Sequence, residues 1–225
     1  MRSFASDNNS GVHPLVMEAL NRANIDHSLG YGDDKWTEEA VAKIKETFTP
    51  NCVPLFVFNG TGSNVVALQL MTRPYHSIFC AETAHIYVDE CGSPVKMTGC
   101  QICPIATPDG KLTPELMQPY LHGFGDQHHS QPRALYISQC TELGTIYTPE
   151  ELKRLTDFAH LNGMYVHMDG ARLSNAVAYL GCDPRDITSR VGIDVLSFGG
   201  TKNGMMFGEA VVFFNPEVAK EVQYI

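Results

Sequence analysis

Three side chains with complementary chemistry follow one another late in the chain. Asp169 and Arg172 belong to the run Asp169-Gly170-Ala171-Arg172, and Lys202 ends the run Gly199-Gly200-Thr201-Lys202. A lysine amine that is partly desolvated, or close to another cation, is neutral often enough to attack a carbonyl carbon. A carboxylate can keep a ring nitrogen protonated, so that the ring accepts electrons. This combination is typical of a site that bonds an aldehyde cofactor through its lysine.

The elements around these residues are predicted to bring them together. Residues 164–168 and 194–198 have the apolar character of strands, and residues 173–180 are predicted to form a helix between them. In a right-handed β-α-β unit both strands run in the same direction, so Asp169 and Lys202 emerge at one carboxyl edge, where ligands of such sheets bind. The alternative is a surface lysine and an Asp169–Arg172 ion pair at a helix start. Because Asp169 and Lys202 are predicted to lie at the same edge of the sheet, a ligand-binding site is favoured over this alternative.

A second feature offers a seat for a phosphate group. The run Gly60-Thr61-Gly62-Ser63-Asn64 lies between a predicted strand at 53–58 and a helix that ends near Met71. Free backbone N–H groups and the helix dipole attract an anion there, and Thr61 and Ser63 can add hydroxyls. The spacing matches neither a P-loop nor GxGxxG. A phosphate seat, a lysine and a carboxylate together predict pyridoxal 5′-phosphate (PLP) as the cofactor.

Strands and helices alternate along most of the chain. A helix is predicted to begin at Thr148-Pro149-Glu150-Glu151, which has a cap, a first-turn proline and a capping-box glutamate. The alternation indicates an α/β fold with a mostly parallel sheet covered by helices on both faces. The predicted strands are 53–58, 77–81, 134–138, 164–168, 195–198 and 210–214.

Six short motifs follow one another along the chain: Ser6-Asp7, Tyr31-Gly32-Asp33-Asp34, Gly60-Thr61, Ala84-His85-Ile86, Asp169-Gly170-Ala171-Arg172 and Gly200-Thr201-Lys202. This set resembles the low-specificity L-threonine aldolases, which are fold-type I PLP-dependent enzymes of the β-eliminating lyase group. The resemblance covers essentially the whole chain, and the Asp-Gly-Ala-Arg run paired with the lysine is its specific part. It implies a PLP-dependent carbon–carbon lyase that cleaves L-threonine, or a related β-hydroxy-α-amino acid, to glycine and an aldehyde.

The resemblance also implies how the cofactor is held. Gly60 and Thr61 are expected to bind the phosphate, and His85 to stack on the pyridine ring. Asp169 is expected to hold the ring nitrogen, and Lys202 to bond the cofactor covalently.

For the substrate, the resemblance implies a different set. Arg172 is expected to contact the cofactor's ring hydroxyl or the substrate carboxylate, and Ser6 to help hold that carboxylate. Tyr31 matches a tyrosine near the cofactor. His128 matches a histidine near the substrate's β-hydroxyl that a neighbouring subunit usually supplies. Either His128 or His85, or a water that they position, is a candidate base, and we expect a homodimer or homotetramer with shared sites.

The expected domain organisation follows from the same comparison. Residues 1–30 are predicted to form an N-terminal arm and helix, and residues 31–225 a large PLP-binding domain. Family members continue into a smaller C-terminal domain with an arginine for the substrate carboxylate. This sequence ends at Ile225, within a helix predicted from Pro216, so we expect that the small domain is absent and that the large domain is truncated.

Composition narrows the possible classes of protein. The chain has 225 residues, 44% of them hydrophobic and 18% charged, with a formal net charge of −9, which is ordinary for a soluble globular protein. The absence of a basic cluster argues against a nucleic-acid partner, and no apolar run approaches the roughly 20 residues of a membrane helix. Seven scattered cysteines fit a reducing, cytoplasmic setting. No metal site is predicted, because neither Cys100 with Cys103 nor His128-His129 has suitably spaced partners.

Two rival functions stay open at this level. Another PLP reaction on the same scaffold, such as β-elimination or transamination, has the same sequence requirements. A catalytically silent fragment that acts only through association is the rival from a different class.

Overall fold

The computed structural model describes residues 3–225, which form one seven-stranded sheet, eight α-helices and six short 3-10 turns. The sheet order is β1-β7-β6-β5-β4-β2-β3. All neighbouring strands are parallel except β7, which is antiparallel to both β1 and β6. The strands are β1 Val53–Val57, β2 His76–Ala81, β3 Gln101–Ile105, β4 Gln131–Ser138, β5 Tyr165–Gly170, β6 Val195–Gly199 and β7 Glu209–Phe213.

The predicted α/β class and mostly parallel sheet are confirmed, with two differences. Strand β7 runs antiparallel because residues 200–208 are too few for the crossover that a parallel partner of β6 would need. Strand β3 was not predicted. It lies at the sheet edge and pairs only with β2 among the described strands, so its sequence carries no long buried run.

Five of the eight α-helices begin at a residue whose side chain caps the helix. The Thr148 hydroxyl accepts the Glu151 N–H while the Glu151 carboxylate accepts the Thr148 N–H, which confirms the predicted capping box. The helix predicted from Pro216 is wrong: the chain there forms a 3-10 turn at Val218–Tyr224. The helices are α1 Pro14–Ala23, α2 Lys35–Thr47, α3 Gly60–Met71, α4 His85–Val88, α5 Ser93–Thr98, α6 Pro114–Met117, α7 Pro149–Leu161 and α8 Leu173–Leu180.

The sheet separates two apolar clusters, one on each face. Leu135, Val166 and Leu196 belong to one cluster, and Ala134 and Val195 to the other. Each fully buried leucine of this kind contributes about 1.5–3 kcal/mol relative to exposure. Because side chains alternate along a strand, the even residues of β4 and the odd residues of β5 and β6 face helix α3. At the carboxyl ends of the strands that face becomes polar.

None of the helices within residues 3–225 combines the length and the apolar character needed to cross a bilayer.

Candidate functional site

A cleft lies at the carboxyl edge of the central strands, as the sequence predicts. Asp169 is near the end of β5, and Lys202 lies in the 3-10 turn Thr201–Asn203 that follows β6. Both line a cavity of about 280 Å³. The other lining residues are Asn8, Asn59, Gly60, Thr61, Asn64, His85, Ser138, Cys140, Glu142, Ala171, Arg172, Thr201 and Glu209.

Two loops approach each other closely to form this cleft. A Cβ atom on Gly199 would lie 2.6 Å from backbone atoms of Ala171, so only glycine fits where β6 ends beside the Asp169–Arg172 run. Asp169, Arg172 and Lys202 all line this one cleft, as the order of the elements predicts.

The Asp169 carboxylate is buried and accepts three hydrogen bonds. The Tyr136 hydroxyl donates at 2.6 Å, the Asn64 amide at 3.0 Å and the Ala171 N–H at 2.9 Å. Burial alone would raise the pKa of Asp169, but these three donors outweigh it and hold the pKa below the usual value. Asp169 is therefore ionised at neutral pH.

Asn64 connects this carboxylate to a polar network between α3 and the sheet. Its side-chain oxygen accepts a hydrogen bond from the Ser197 hydroxyl at 3.0 Å, and Ser197 also contacts Ser63 and His167. His167 is fully buried, as expected for a core histidine, and burial lowers its pKa to about 4. Its Nε2 contacts Ser197, whereas its Nδ1 has no hydrogen-bond partner within residues 3–225.

The predicted phosphate seat is at the start of α3. Gly60 and Thr61 line the cleft, and Asn59 caps the helix by accepting the Gly62 N–H at 2.8 Å. The first N–H groups of a helix have no intrahelical acceptor, so those of Gly60 and Thr61 are positioned for an anion. The suggested Ser63 hydroxyl does not contribute. Ser63 is buried and its hydroxyl donates to Ser197 instead.

The half-buried His85 begins α4 at the side of the cleft. Its backbone N–H donates to a Glu142 carboxylate oxygen at 2.9 Å, and its Nδ1 lies 2.8 Å from a Glu90 carboxylate oxygen. The hydrogen bond with Glu90 raises the pKa of His85 above its ordinary value, despite the opposing effect of burial.

The N-terminal segment reaches the cleft through Asp7 and Asn8. Asp7 accepts two hydrogen bonds from the Arg172 guanidinium, at 2.6 Å from Nε and 3.2 Å from a terminal nitrogen. Burial would raise the pKa of Asp7, but Arg172 and Lys202 lower it below the usual value. The Ser6 hydroxyl accepts the Asn8 N–H at 3.2 Å, which caps the turn, and Ser6 is not among the residues that line the cleft.

Besides Ser6, two more of the predicted site residues lie outside this chain's own cleft. Tyr31 is fully exposed in a turn with a φ of 64°, and His128 is exposed in the loop before β4. Neither lines the cleft around Lys202.

Sequence reasoning missed four polar groups at or beneath the cleft: Asn64, Glu90, Glu142 and Glu209. Only the position of Glu90, five residues after His85, offered a local signal, since one helical turn and a short loop can bring two such side chains together. Asn64 and Glu142 reach residues far away in the sequence, and Glu209 reaches back across the turn between β6 and β7.

Comparisons with known proteins agree on one family. The family model described as beta-eliminating lyase matches residues 3–225. A low specificity L-threonine aldolase from a Pseudomonas species is 44% identical over 224 residues, which cover 99% of this chain and 65% of that protein. The low specificity L-threonine aldolase of Saccharomyces cerevisiae is 34% identical over 175 residues, covering 74% of this chain and 43% of that protein.

A solved structure of Leishmania major threonine aldolase has the same fold as this chain. Its TM-score is 0.93 at 32% sequence identity, over 100% of this chain and 66% of that one. The chain thus spans 65% of the length of two Pseudomonas relatives that it matches.

Proposed function

This chain belongs to the β-eliminating lyase family, and from that premise we propose that it acts as a PLP-dependent aldolase. The proposed reaction cleaves L-threonine, or a related β-hydroxy-α-amino acid, to glycine and an aldehyde. The observation that carries the proposal is the convergence of Lys202, the ionised Asp169 and the start of α3 on one cleft. The names of the relatives point to the same substrate class.

The residues of the cleft fit PLP group by group. When bound, PLP supplies an aldehyde carbon that condenses with amines and a protonated ring that takes up electrons released at an amino acid's α-carbon. Lys202 provides the amine that holds it. Gly60 and Thr61 offer N–H groups to the phosphate, and Asp169 offers a buried negative charge to the ring nitrogen.

The remaining side chains act on the substrate. The Arg172 guanidinium has donors besides the two that Asp7 occupies, and these can bind the substrate carboxylate or the ring hydroxyl. A base takes the β-hydroxyl proton as the aldehyde leaves, and the α-carbon then gains a proton to give glycine. His85 is the candidate base that lies in the cleft.

We further propose that the protein works as a homo-oligomer with shared sites. His128 and Tyr31 are exposed and outside their own cleft, so they are free to contact a neighbouring site. In this arrangement His128 of one subunit lies near the substrate's β-hydroxyl in another.

Product analysis tests the proposed reaction. The purified chain, supplied with PLP and L-threonine, is expected to release glycine and acetaldehyde in equal amounts. Ammonia with a keto acid would contradict aldol cleavage and assign β-elimination, and an amino-group transfer product would assign transamination. Absence of any product with threonine, allo-threonine and phenylserine would contradict the proposal altogether.

A further inference from the structure

A buried carboxylate lies directly behind His85, and the mechanism above does not use it. The Glu90 side chain has no exposed surface. One of its oxygens, Oε1, is 2.8 Å from His85 Nδ1 and 2.8 Å from the Asn64 amide nitrogen. Its other oxygen, Oε2, is buried and has no partner within residues 3–225. Leaving a buried polar atom unpaired is costly, so this carboxylate is not placed for stability alone.

The surroundings hold Glu90 in one position. The Ser93 N–H and hydroxyl both donate to the Glu90 carbonyl oxygen, at 2.9 and 2.6 Å. The Asn64 amide is itself fixed, because its other contacts are Asp169 and Ser197. The Ser93 contacts fix the Glu90 backbone, and its carboxylate cannot turn away from the His85 ring without breaking its hydrogen bonds to His85 and Asn64.

We propose that Glu90 is a positioning residue that keeps the His85 proton on Nδ1 and leaves Nε2 as the nitrogen that exchanges protons in the cleft. This inference rests on the proposed function, in which a base takes the substrate's β-hydroxyl proton. A carboxylate accepts but does not donate when ionised, so its contact with Nδ1 requires a hydrogen there. Neutral His85 then has its free lone pair on Nε2.

The same carboxylate stabilises the charge that forms when Nε2 takes a proton. A buried carboxylate on one imidazole nitrogen fixes the tautomer and favours the imidazolium, which is how acid–histidine pairs act in hydrolases. The proton moves from the substrate hydroxyl to Nε2, and none moves to Glu90. The raised pKa of His85, due first to its hydrogen bond with Glu90 and opposed by burial, agrees with this geometry.

Other charged groups near His85 also affect its pKa. Asp169, on the far side of Asn64, raises the pKa of His85, and Lys202 lowers it. The Glu142 carboxylate contacts the backbone N–H of His85 rather than its ring. Glu90 is the carboxylate in direct contact with the ring, so removing its charge has the largest expected effect.

An NMR titration of His85 tests the proposal without any turnover. The protein is labelled with ¹⁵N-histidine, and the His85 signals are assigned with a His85→Asn variant. In the wild-type protein neutral His85 is expected to show the Nδ1–H tautomer. Glu90→Gln keeps the shape and an acceptor oxygen but loses the charge, so the His85 pKa should fall by roughly one unit or more. Asp89→Asn, an exposed neighbour, should leave it unchanged.

The outcomes separate this inference from the proposed function. The Nε2–H tautomer in the wild-type protein would overturn the inference, and this readout needs no folded variant. An unchanged His85 pKa in Glu90→Gln would overturn it as well. In an active enzyme, the acid limb of the kcat/KM profile should move to lower pH together with the NMR pKa. An acid limb that stays in place would show that His85 Nε2 is not the proton acceptor, while glycine release would still support the aldolase.

Discussion

The Asp169 carboxylate enters the cleft with three of its acceptor positions already used. Tyr136, Asn64 and the Ala171 N–H fix its orientation and keep it ionised although it is buried. A negative charge held in this way can stabilise a positive ring nitrogen without any rearrangement during the reaction. The chemistry proposed for Asp169 thus depends on neighbours that the motif itself does not contain.

Replacing Asp169 with asparagine should separate cofactor capture from turnover. Lys202 still bonds the cofactor, but the ring nitrogen loses its anionic partner, so kcat should fall by roughly 100-fold or more. Capture is measured by absorbance of the bound cofactor and turnover by glycine release. The control is Asp157→Asn, which removes an exposed carboxylate paired with Lys153. An Asp169→Asn protein with wild-type kcat would reduce Asp169 to a structural residue.

Sequence patterns predicted the residues whose roles are set by the backbone. Asp169 and Lys202 follow consecutive parallel strands, so their shared edge could be inferred from element order alone. Asn64 could not be inferred in this way, because its role arises from side-chain contacts with Glu90 and Asp169 across the sheet and α3. Ser63 was misjudged for the same reason: its position at a helix start suggested the cleft, whereas its side chain points into the core.

At the scale of elements, the turn between β6 and β7 is held by a residue of the next strand. The Glu209 carboxylate, at the start of β7, accepts the Gly200 N–H at 2.9 Å and the Thr201 N–H at 3.4 Å. Burial raises the pKa of Glu209, and these N–H groups offset the shift only in part. This contact fixes the backbone immediately before Lys202.

Glu209→Ala should therefore destabilise the protein through this turn. Two partly buried N–H groups lose their acceptor, which costs up to about 1–3 kcal/mol, the range for fully buried donors. Urea denaturation measures the change in the free energy of unfolding. Glu217→Ala, which removes an exposed partner of Lys220, should change it by less than about 0.5 kcal/mol. Equal stability of the two variants would show that Glu209 does not hold the turn.

Helix α7 is joined to the start of β6 by a pH-dependent contact. His160 Nε2 lies 2.9 Å from a carboxylate oxygen of the buried Asp194. The hydrogen bond to Asp194 raises the pKa of His160 above its ordinary value, against the effect of burial. Because the pKa is higher in the folded state, the stabilisation is fully present below the unfolded pKa and is lost as the pH rises through the folded pKa.

The stability difference between the wild-type protein and His160→Gln should follow that dependence. The difference in free energy of unfolding should be largest near pH 6 or below and shrink as the pH rises, from about pH 6.5 upward. Denaturation curves at several pH values provide the measurement. A difference that grows with pH would mean that the contact stabilises through neutral histidine instead.

Element prediction worked best where strands are buried on both faces. The central strands β4, β5 and β6 were all recognised, because their apolar runs are unbroken. The edge strand β3 was missed, and β7 was recognised without its direction, since direction depends on the length of the connection rather than on the strand itself. The 3-10 turn at Val218–Tyr224 was predicted as an α-helix, because the spacing of its apolar residues is compatible with either structure.

At the scale of the whole molecule, the central question is how many chains build one site. This chain's cleft contains Lys202, Asp169 and His85, whereas His128 and Tyr31 face outward. No strand or helix pattern within one chain predicts which surface meets a partner, so shared sites follow only from the family resemblance. The boundary near residue 31 likewise stays a prediction.

Mixing two inactive variants should reveal shared sites. Lys202→Ala lacks the covalent anchor and His128→Ala lacks the outward-facing histidine, so each alone should lose most activity. In hybrid dimers one of the two sites has both residues intact, so a random mixture should regain roughly a quarter of wild-type activity if each variant is fully inactive. Subunit exchange is confirmed by mass spectrometry of tagged chains. Exchange without any recovery would place His128 in its own chain's site or outside the reaction.

The most direct test of the account is to locate the bound cofactor on the chain. The protein is incubated with PLP, reduced with borohydride, digested and analysed by peptide mass spectrometry. We expect one reduced cofactor per chain, on the peptide that contains Lys202, and none in Lys202→Ala. A cofactor attached to another lysine, or no attachment to the folded wild-type protein, would contradict the assignment of this cleft.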